Sequence, residues 1–262
     1  MIGIFDSGIG GLTVVKEVLR QLPDYQIVYF GDTARTPYGS KSPETVTKYA
    51  LQDAQFLIDQ GAQIIIVACH TASAVAAEEL KKHLAVPIFE VVSPAIRKAL
   101  AVTRKKRLGI IGTSATIASG IYQRRLKEAD RELELITQAC PLFVPLVEER
   151  WVKKPETKMI ARRYLYPLKL KQIDTLVLAC THYPLMREII QQKIGQRVKL
   201  VDPAAEVVQE VGQYLKQHPE LEQKLTRGQE HKFYVSDITD KTRQSAKDWL
   251  ERPVRLEKHL LE

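Results

Sequence analysis

The sequence predicts an α/β protein of two similar domains, each a parallel sheet flanked by helices. Three observations carry that prediction. Short runs that are apolar throughout alternate with longer amphipathic stretches, which is the βαβ rhythm of a sheet covered on both faces. A chain of 262 residues, 45% of them hydrophobic, can bury one large core or two smaller ones. The pattern also repeats: each half offers an apolar run ending in a carboxylate and a later run ending Ala-Cys.

Taken in order, Ile2–Phe5 reads as the first strand and delivers Asp6. The turn Asp6-Ser-Gly-Ile-Gly-Gly-Leu follows; it is neither GxGxxG nor a Walker A motif. Its backbone N–H groups suit a carboxylate as well as a phosphate. Ile27–Phe30 leads into a polar loop, Asp32-Thr-Ala-Arg-Thr-Pro-Tyr-Gly-Ser40, which reads equally well as a donor loop or a surface turn. Pro43–Gln60 opens Pro-Glu and spaces Tyr49, Ala54 and Leu57 as a helix does. Ile64–Ala68 ends at Cys69, before a helical stretch at Ala72–His83. Ile88–Val92, Leu108–Ile111 and Leu142–Val147 follow as strands, the last ending at Glu148. Thr175–Ala179 ends at Cys180, before a helical stretch at Leu185–Lys193, and Val198–Val201 is the final strand. The expected domains are 1–94 with 205–262, and 95–204, the C-terminal region returning to the first.

Composition narrows the function classes. No apolar run reaches the roughly 18 residues of a membrane span, and no basic segment precedes Ile2. The chain therefore reads as cytoplasmic. Three cysteines, an odd number, favour free thiols, and the absence of CxxC argues against a zinc site. The net charge of +8 comes from scattered basic residues: Arg104-Lys-Lys-Arg107, Lys153-Lys154, Arg162-Arg163, Lys169 and Lys171. No nucleic-acid motif accompanies them, so a solvated basic surface is expected and nucleic acid is not.

In parallel sheets, ligands bind beyond the carboxyl ends of the strands. Asp6, Cys69, Glu148, Cys180 and His182 all fall there. A thiol ahead of a helix gains thiolate character. A lone cysteine is most simply buried and inert, and Cys140, in Gln138-Ala-Cys-Pro, is read that way. The repetition sets Cys69 and Cys180 apart. Two thiols in opposite protonation states can remove a proton from one face of a carbon and deliver one to the other, which is racemisation by general acid–base catalysis. A single Cys-His-acid set could instead serve nucleophilic hydrolysis, but that leaves the second cysteine unexplained.

DSGIGGLTV at 6–14, FGDTARTPYGSKS at 30–42, VACHTASA at 67–74, PLFVPLVEE at 141–149 and LACTHYPLM at 178–186 together resemble bacterial glutamate racemase, in order and across nearly the whole chain. The resemblance implies a racemase of two α/β domains with its site in the interdomain cleft. It implies no cofactor, glutamate as substrate, and a supply of D-glutamate for peptidoglycan. It implies Cys69 and Cys180 as the acid/base pair and Asp6, Glu148 and His182 as assisting residues. Asp6, Ser7, Pro37, Tyr38, Gly39, His70, Thr71, Thr116, Thr181 and His182 fall on the substrate-binding set. It also implies a homodimer. An aspartate racemase is the nearest alternative, and a secondary contact with DNA gyrase is a second. One departure stands out: the family usually has Cys-Asn-Thr where this chain has Cys69-His70-Thr71. Another is Phe89-Glu-Val-Val-Ser-Pro94, where the family tends to Gly-Val-Ile-Glu-Pro. Some members of the family carry an N-terminal extension tied to activation by a peptidoglycan precursor, and a first strand beginning at Ile2 argues against the expectation of that control here.

Overall fold

The computed structural model describes residues 1–261. The chain divides into two compact units, Met1–Val91 with Ala204–Glu262, and Val92–Pro203. The first begins β1 (Ile2–Asp6), α1 (Leu12–Gln21), β2 (Ile27–Gly31), α2 (Pro43–Asp59), β3 (Ile64–Val67), α3 (His70–His83) and β4 (Ile88–Glu90). The second holds α4 (Val92–Val102), β5 (Arg107–Gly112), α5 (Ser114–Ala118), α6 (Ile121–Ala129) and β6 (Glu134–Ala139). It continues with α7 (Phe143–Glu148), α8 (Pro155–Leu170), β7 (Thr175–Ala179), α9 (Arg187–Ile194) and β8 (Lys199–Val201). The chain then returns through α10 (Pro203–Gln217), α11 (Pro219–Glu222), β9 (Lys232–Val235), α12 (Asp240–Leu250) and β10 (Leu256–Lys258).

Both sheets are parallel. The first runs β10-β9-β2-β1-β3-β4 and the second β6-β5-β7-β8. The first sheet shows why its strands are apolar throughout. Successive side chains of a strand point to opposite faces. Ile2, Ile4, Ile27, Tyr29, Ile64 and Ile66 enter one core with α1 and α10. Phe5, Val28, Phe30, Ile65 and Val67 enter the other with α2 and α3. Each such side chain stabilises by about 1.5–3 kcal/mol when fully buried, so neither face tolerates a polar alternate.

Several sequence expectations are corrected. Leu142–Val147 is not a strand. Phe143, Val144 and Val147 share the buried side of helix α7, and Glu148 is that helix's last residue rather than a strand end. The strand in that part of the sheet is β6, Glu-Leu-Ile-Thr-Gln-Ala. It is an edge strand with half-buried residues, so it carries no continuous apolar run. Val92 starts α4 instead of ending β4. The short strands β9 and β10, the second of them at the sheet edge, were not foreseen. Helix α3 begins at His70, two residues before Ala72. After Cys180 comes a single 3-10 turn, Tyr183–Met186, and α9 starts only at Arg187.

Candidate active site

The two units each present a thiol at the carboxyl end of a parallel strand, and each half is built separately. In the first unit, β1 ends on Asp6, fully buried. Its carboxylate accepts a hydrogen bond from Gly8 N at 3.1 Å, which turns the glycine-rich loop back over the strand. The close packing there needs glycine. A Cβ on Gly31 would lie 2.3 Å from the Gly8 carbonyl oxygen, and that carbonyl also accepts the Tyr29 hydroxyl at 2.7 Å. The loop carries Ser7 to Cys69, whose Sγ lies 3.5 Å from Ser7 Oγ.

Cys69 is the residue from which α3 springs, its carbonyl accepting from Ser73 N at 2.8 Å. The thiol therefore stands at a helix start, where the dipole favours negative charge. His70 and Thr71, both buried, open the helix. Neither ring nitrogen of His70 has a hydrogen-bond partner among the described residues. Burial pushes its pKa down to about 3, so the ring is neutral at physiological pH.

The loop after β2 is held by a polar network built around one arginine, two carboxyls and one phenol. Arg35 bonds Asp32 Oδ2 at 2.6 Å, Asp53 Oδ1 at 3.0 Å and Gln52 Oε1 at 2.6 Å. Ser236 Oγ donates to Asp32 Oδ1 at 2.8 Å and accepts from Ala34 N at 2.7 Å. Tyr38 Oη lies 2.5 Å from Asp32 Oδ2 and 2.8 Å from Asp53 Oδ2. A phenol has one proton to give and two carboxyls claim it. Burial first, and the charge of Asp32 second, push the Asp53 carboxyl well above its usual range, against the pull of Tyr38 and Arg35. Burial thus favours a neutral Asp53, and a neutral Asp53 can donate to Tyr38 and leave the phenol proton for Asp32. Tyr38, fully buried, is consumed by this network, and the exposed Pro37 and half-buried Gly39 on either side form the open part of the loop. The Thr36–Pro37 bond is cis.

In the second unit, β7 ends one residue before Cys180, and Thr181 and His182 follow, all buried. His182 Nδ1 lies 3.9 Å from Cys180 Sγ and its Nε2 3.2 Å from Glu148 Oε1. Burial alone would lower the His182 pKa, but the hydrogen bonds and charges of Cys180 and Glu148 outweigh it and push it up to about 10. His182 is therefore an imidazolium clamped between a sulfur and a carboxylate. Helix α5, which follows β5, contributes Thr116, whose hydroxyl lies 2.9 Å from that of Thr113, the residue capping the helix. Cys140 is also buried nearby, and its thiol is pushed up by burial and by Cys180. It is a packing residue, as the sequence indicated.

Asp6, Ser7 and Cys69 thus gather in one unit with His70, Thr71 and the loop of Pro37, Tyr38 and Gly39. Thr116, Glu148, Cys180, Thr181 and His182 gather in the other. Sequence reasoning passed over Asp32, Arg35, Asp53 and Ser236. Two of these lie in the quoted loop, but Asp53 sits in mid-helix and Ser236 past β9, where no local pattern marks them. Among the described residues no group of three or more His, Cys, Asp or Glu side chains could hold a metal ion.

A family model, Asp/Glu/Hydantoin racemase, matches residues 2–211. The chain belongs to this family. A glutamate racemase of Geobacter metallireducens is 49% identical over 237 residues, 90% of this chain and 87% of the relative. The solved glutamate racemase RacE1 of Bacillus anthracis matches at a TM-score of 0.92 and 34% identity, covering 100% of this chain and 97% of that one. A second, from Francisella tularensis in complex with D-glutamate, matches at 0.90 and 37%, with the same coverage.

Proposed function

We propose that the protein racemises glutamate without a cofactor, by two-base chemistry, and so supplies D-glutamate for peptidoglycan. The observation that carries this reading is the matched pair of half-sites, each a buried thiol at the carboxyl end of a strand. The activity of the relatives supports glutamate as the substrate. In the reaction, the thiolate of one cysteine takes the α-proton and becomes a thiol. The C–H electron pair stays on carbon, delocalised into the carboxyl group. The thiol of the other cysteine delivers its proton to the opposite face and becomes the thiolate, so the reverse direction starts ready.

The assisting roles follow from charge. The His182 imidazolium balances negative charge on Cys180, and Glu148 holds the ring in that state. Asp6 orders the loop that sets Ser7 beside Cys69. The backbone N–H of Gly39, in the Pro37-Tyr38-Gly39 turn, with Thr71, Thr116 and Thr181, offers donors to the two carboxylates of the substrate. The neutral ring of His70 offers one donor and one acceptor, the same complement an amide would use. A homodimer in the cytoplasm completes the reading; no helix among the described residues is long and apolar enough to cross a membrane.

The test is incubation with L-glutamate in deuterated water, following optical rotation and α-deuterium together. Loss of rotation with deuterium in the product is expected, and Cys69→Ser and Cys180→Ser then assign each thiol to its face. No exchange with glutamate but exchange with aspartate would replace the substrate. No exchange with either would end the reading.

A further inference from the structure

The net charge is not spread over the chain as the sequence alone indicated. Residues 150–172 hold eight lysines and arginines against one glutamate, a net of +7 in a chain whose total is +8. The apolar exposure gathers in the same stretch of sequence. Of six large hydrophobic side chains exposed among the described residues, five lie between 142 and 170: Leu142, Trp151, Met159, Tyr166 and Leu170.

Helix α8 arranges both. Its inward face, Thr157, Ala161, Leu165 and Leu168, packs toward β6 and α9. At about 100° per residue, Met159, Tyr166 and Leu170 fall within an arc of about 40° on the opposite side. They are 67%, 52% and 63% exposed, so this is an outward ridge and not a grazed core. Lys158, Arg162 and Lys169 line one flank of the ridge and Arg163 the other. Lys153 and Lys154 stand just ahead of the helix beside Trp151. None of Lys153, Lys154, Lys158, Arg162, Lys169 and Lys171 has an ion-pair partner among the described residues.

We propose that this outward face of α8, with Trp151, docks on an anionic lipid bilayer surface. The charge selects an anionic partner. The ridge selects among anionic partners, because phosphate binding by nucleic acid uses the cations alone and leaves three apolar side chains in water. A bilayer interface uses both. Leucine and methionine enter the acyl boundary, tryptophan and tyrosine sit at headgroup depth, and lysine and arginine stems lie along the apolar surface with their charges outward. A second copy of this chain fits poorly. Two-fold pairing would set Arg162 and Arg163, at the middle of the ridge, against their mates. Three side chains also fall well short of the roughly 800 Å² per partner of a stable interface.

The test uses the intact protein with vesicles rich in phosphatidylglycerol and vesicles of phosphatidylcholine alone, read by flotation. A Trp249→Phe background lets Trp151 emission report insertion. The protein is expected to float with the anionic vesicles only, with a blue shift of Trp151. One variant carries Met159→Ser, Tyr166→Ser and Leu170→Ser; a second carries Lys158→Gln, Arg162→Gln, Arg163→Gln and Lys169→Gln. Each is expected to weaken partitioning about tenfold or more while its racemisation rate stays unchanged. Failure of the unaltered protein to float overturns the proposal. So does a serine variant that floats as well as the parent, since that marks a plain polyanion surface. A concentration-dependent dimer that the serine variant abolishes also overturns it, since a second copy then covers the ridge.

Discussion

Replacing Asp53 by alanine and by asparagine gives opposite outcomes if Asp53 keeps its proton. Asp53→Ala removes the 2.8 Å bond with Tyr38 and the 3.0 Å bond from Arg35, and leaves a void on a fully buried helix face. A neutral buried hydrogen bond contributes about 1 kcal/mol, and one to a charged group about 1.5–3 kcal/mol. The guanidinium is partly exposed and retains Asp32, which discounts the second figure. The expected loss is about 2–4 kcal/mol in urea unfolding, with KM raised more than kcat is lowered as the Pro37-Tyr38-Gly39 loop loosens. Asparagine reproduces the protonated acid: its carbonyl accepts from Arg35 and its amide donates to Tyr38. Asp53→Asn should stay within about 0.5 kcal/mol of the parent near neutrality. The sign with pH follows from a raised folded pKa. Above the ordinary carboxyl value of about 3.9, the unfolded chain releases a proton that the folded chain retains, so stability falls as pH rises toward the folded value. The parent should show that downward slope and Asp53→Asn should lack it. If asparagine costs as much as alanine and the slopes coincide, Asp53 is ionised in the fold and the proton count is wrong.

Glu148→Gln removes one of the two groups holding the His182 proton. The alkaline limb of the kcat profile should move down from the region of pH 10, and kcat should fall about 10- to 100-fold. His70→Asn removes a histidine whose pKa is pushed down to about 3 by burial. As pH falls below about 6.5, only the unfolded chain gains that proton, so the parent should lose about 1.4 kcal/mol between pH 7.5 and 5.5 that the variant keeps. An identical acid limb in both proteins would refute this, and an unchanged pH–rate profile would remove His70 from the substrate contacts. Gly31→Ala sets a Cβ 2.3 Å from a backbone oxygen. It should cost at least about 1–3 kcal/mol in thermal unfolding.

The legible part of this sequence was the part that physical periodicity writes locally. Ile2–Phe5 and Ile64–Ala68 announce central strands because alternate residues feed two cores, and no strand of that kind can afford a polar position. The same logic explains the misreading at Leu142–Val147. Six apolar residues in a row look alike whether they cover both faces of a sheet or one side of a short helix, and only the missing partners decide. The strand actually present, β6, sits at an edge, so its threonine and glutamine disguised it. The candidate site divides along the same line. Asp6, Cys69, Cys180 and His182 stand next to strand ends, where topology brings ligands whatever the chemistry. The residues that hold the site do not. Asp53 reaches the loop of Tyr38 from mid-helix, and Ser236 reaches Asp32 across 204 positions of sequence.

That asymmetry has a physical origin. A reacting group must stand where the fold opens, and parallel sheets open at one edge. A supporting group needs only to be buried beside the segment it fixes, and any element can bring it there. The loop at 32–40 shows the consequence. Its sequence looked like an even choice between surface turn and binding loop, because the two carboxyls and the serine that decide it are contributed by Asp32 within the loop, by α2 and by the end of β9. Sequence reading therefore finds the candidate reacting groups of such a protein and misses what holds the loop beside them. The test above on Asp53 addresses the missing half: if a neutral amide there preserves both stability and KM while alanine loses both, then the precision of the Pro37-Tyr38-Gly39 backbone is set by one proton that no motif records.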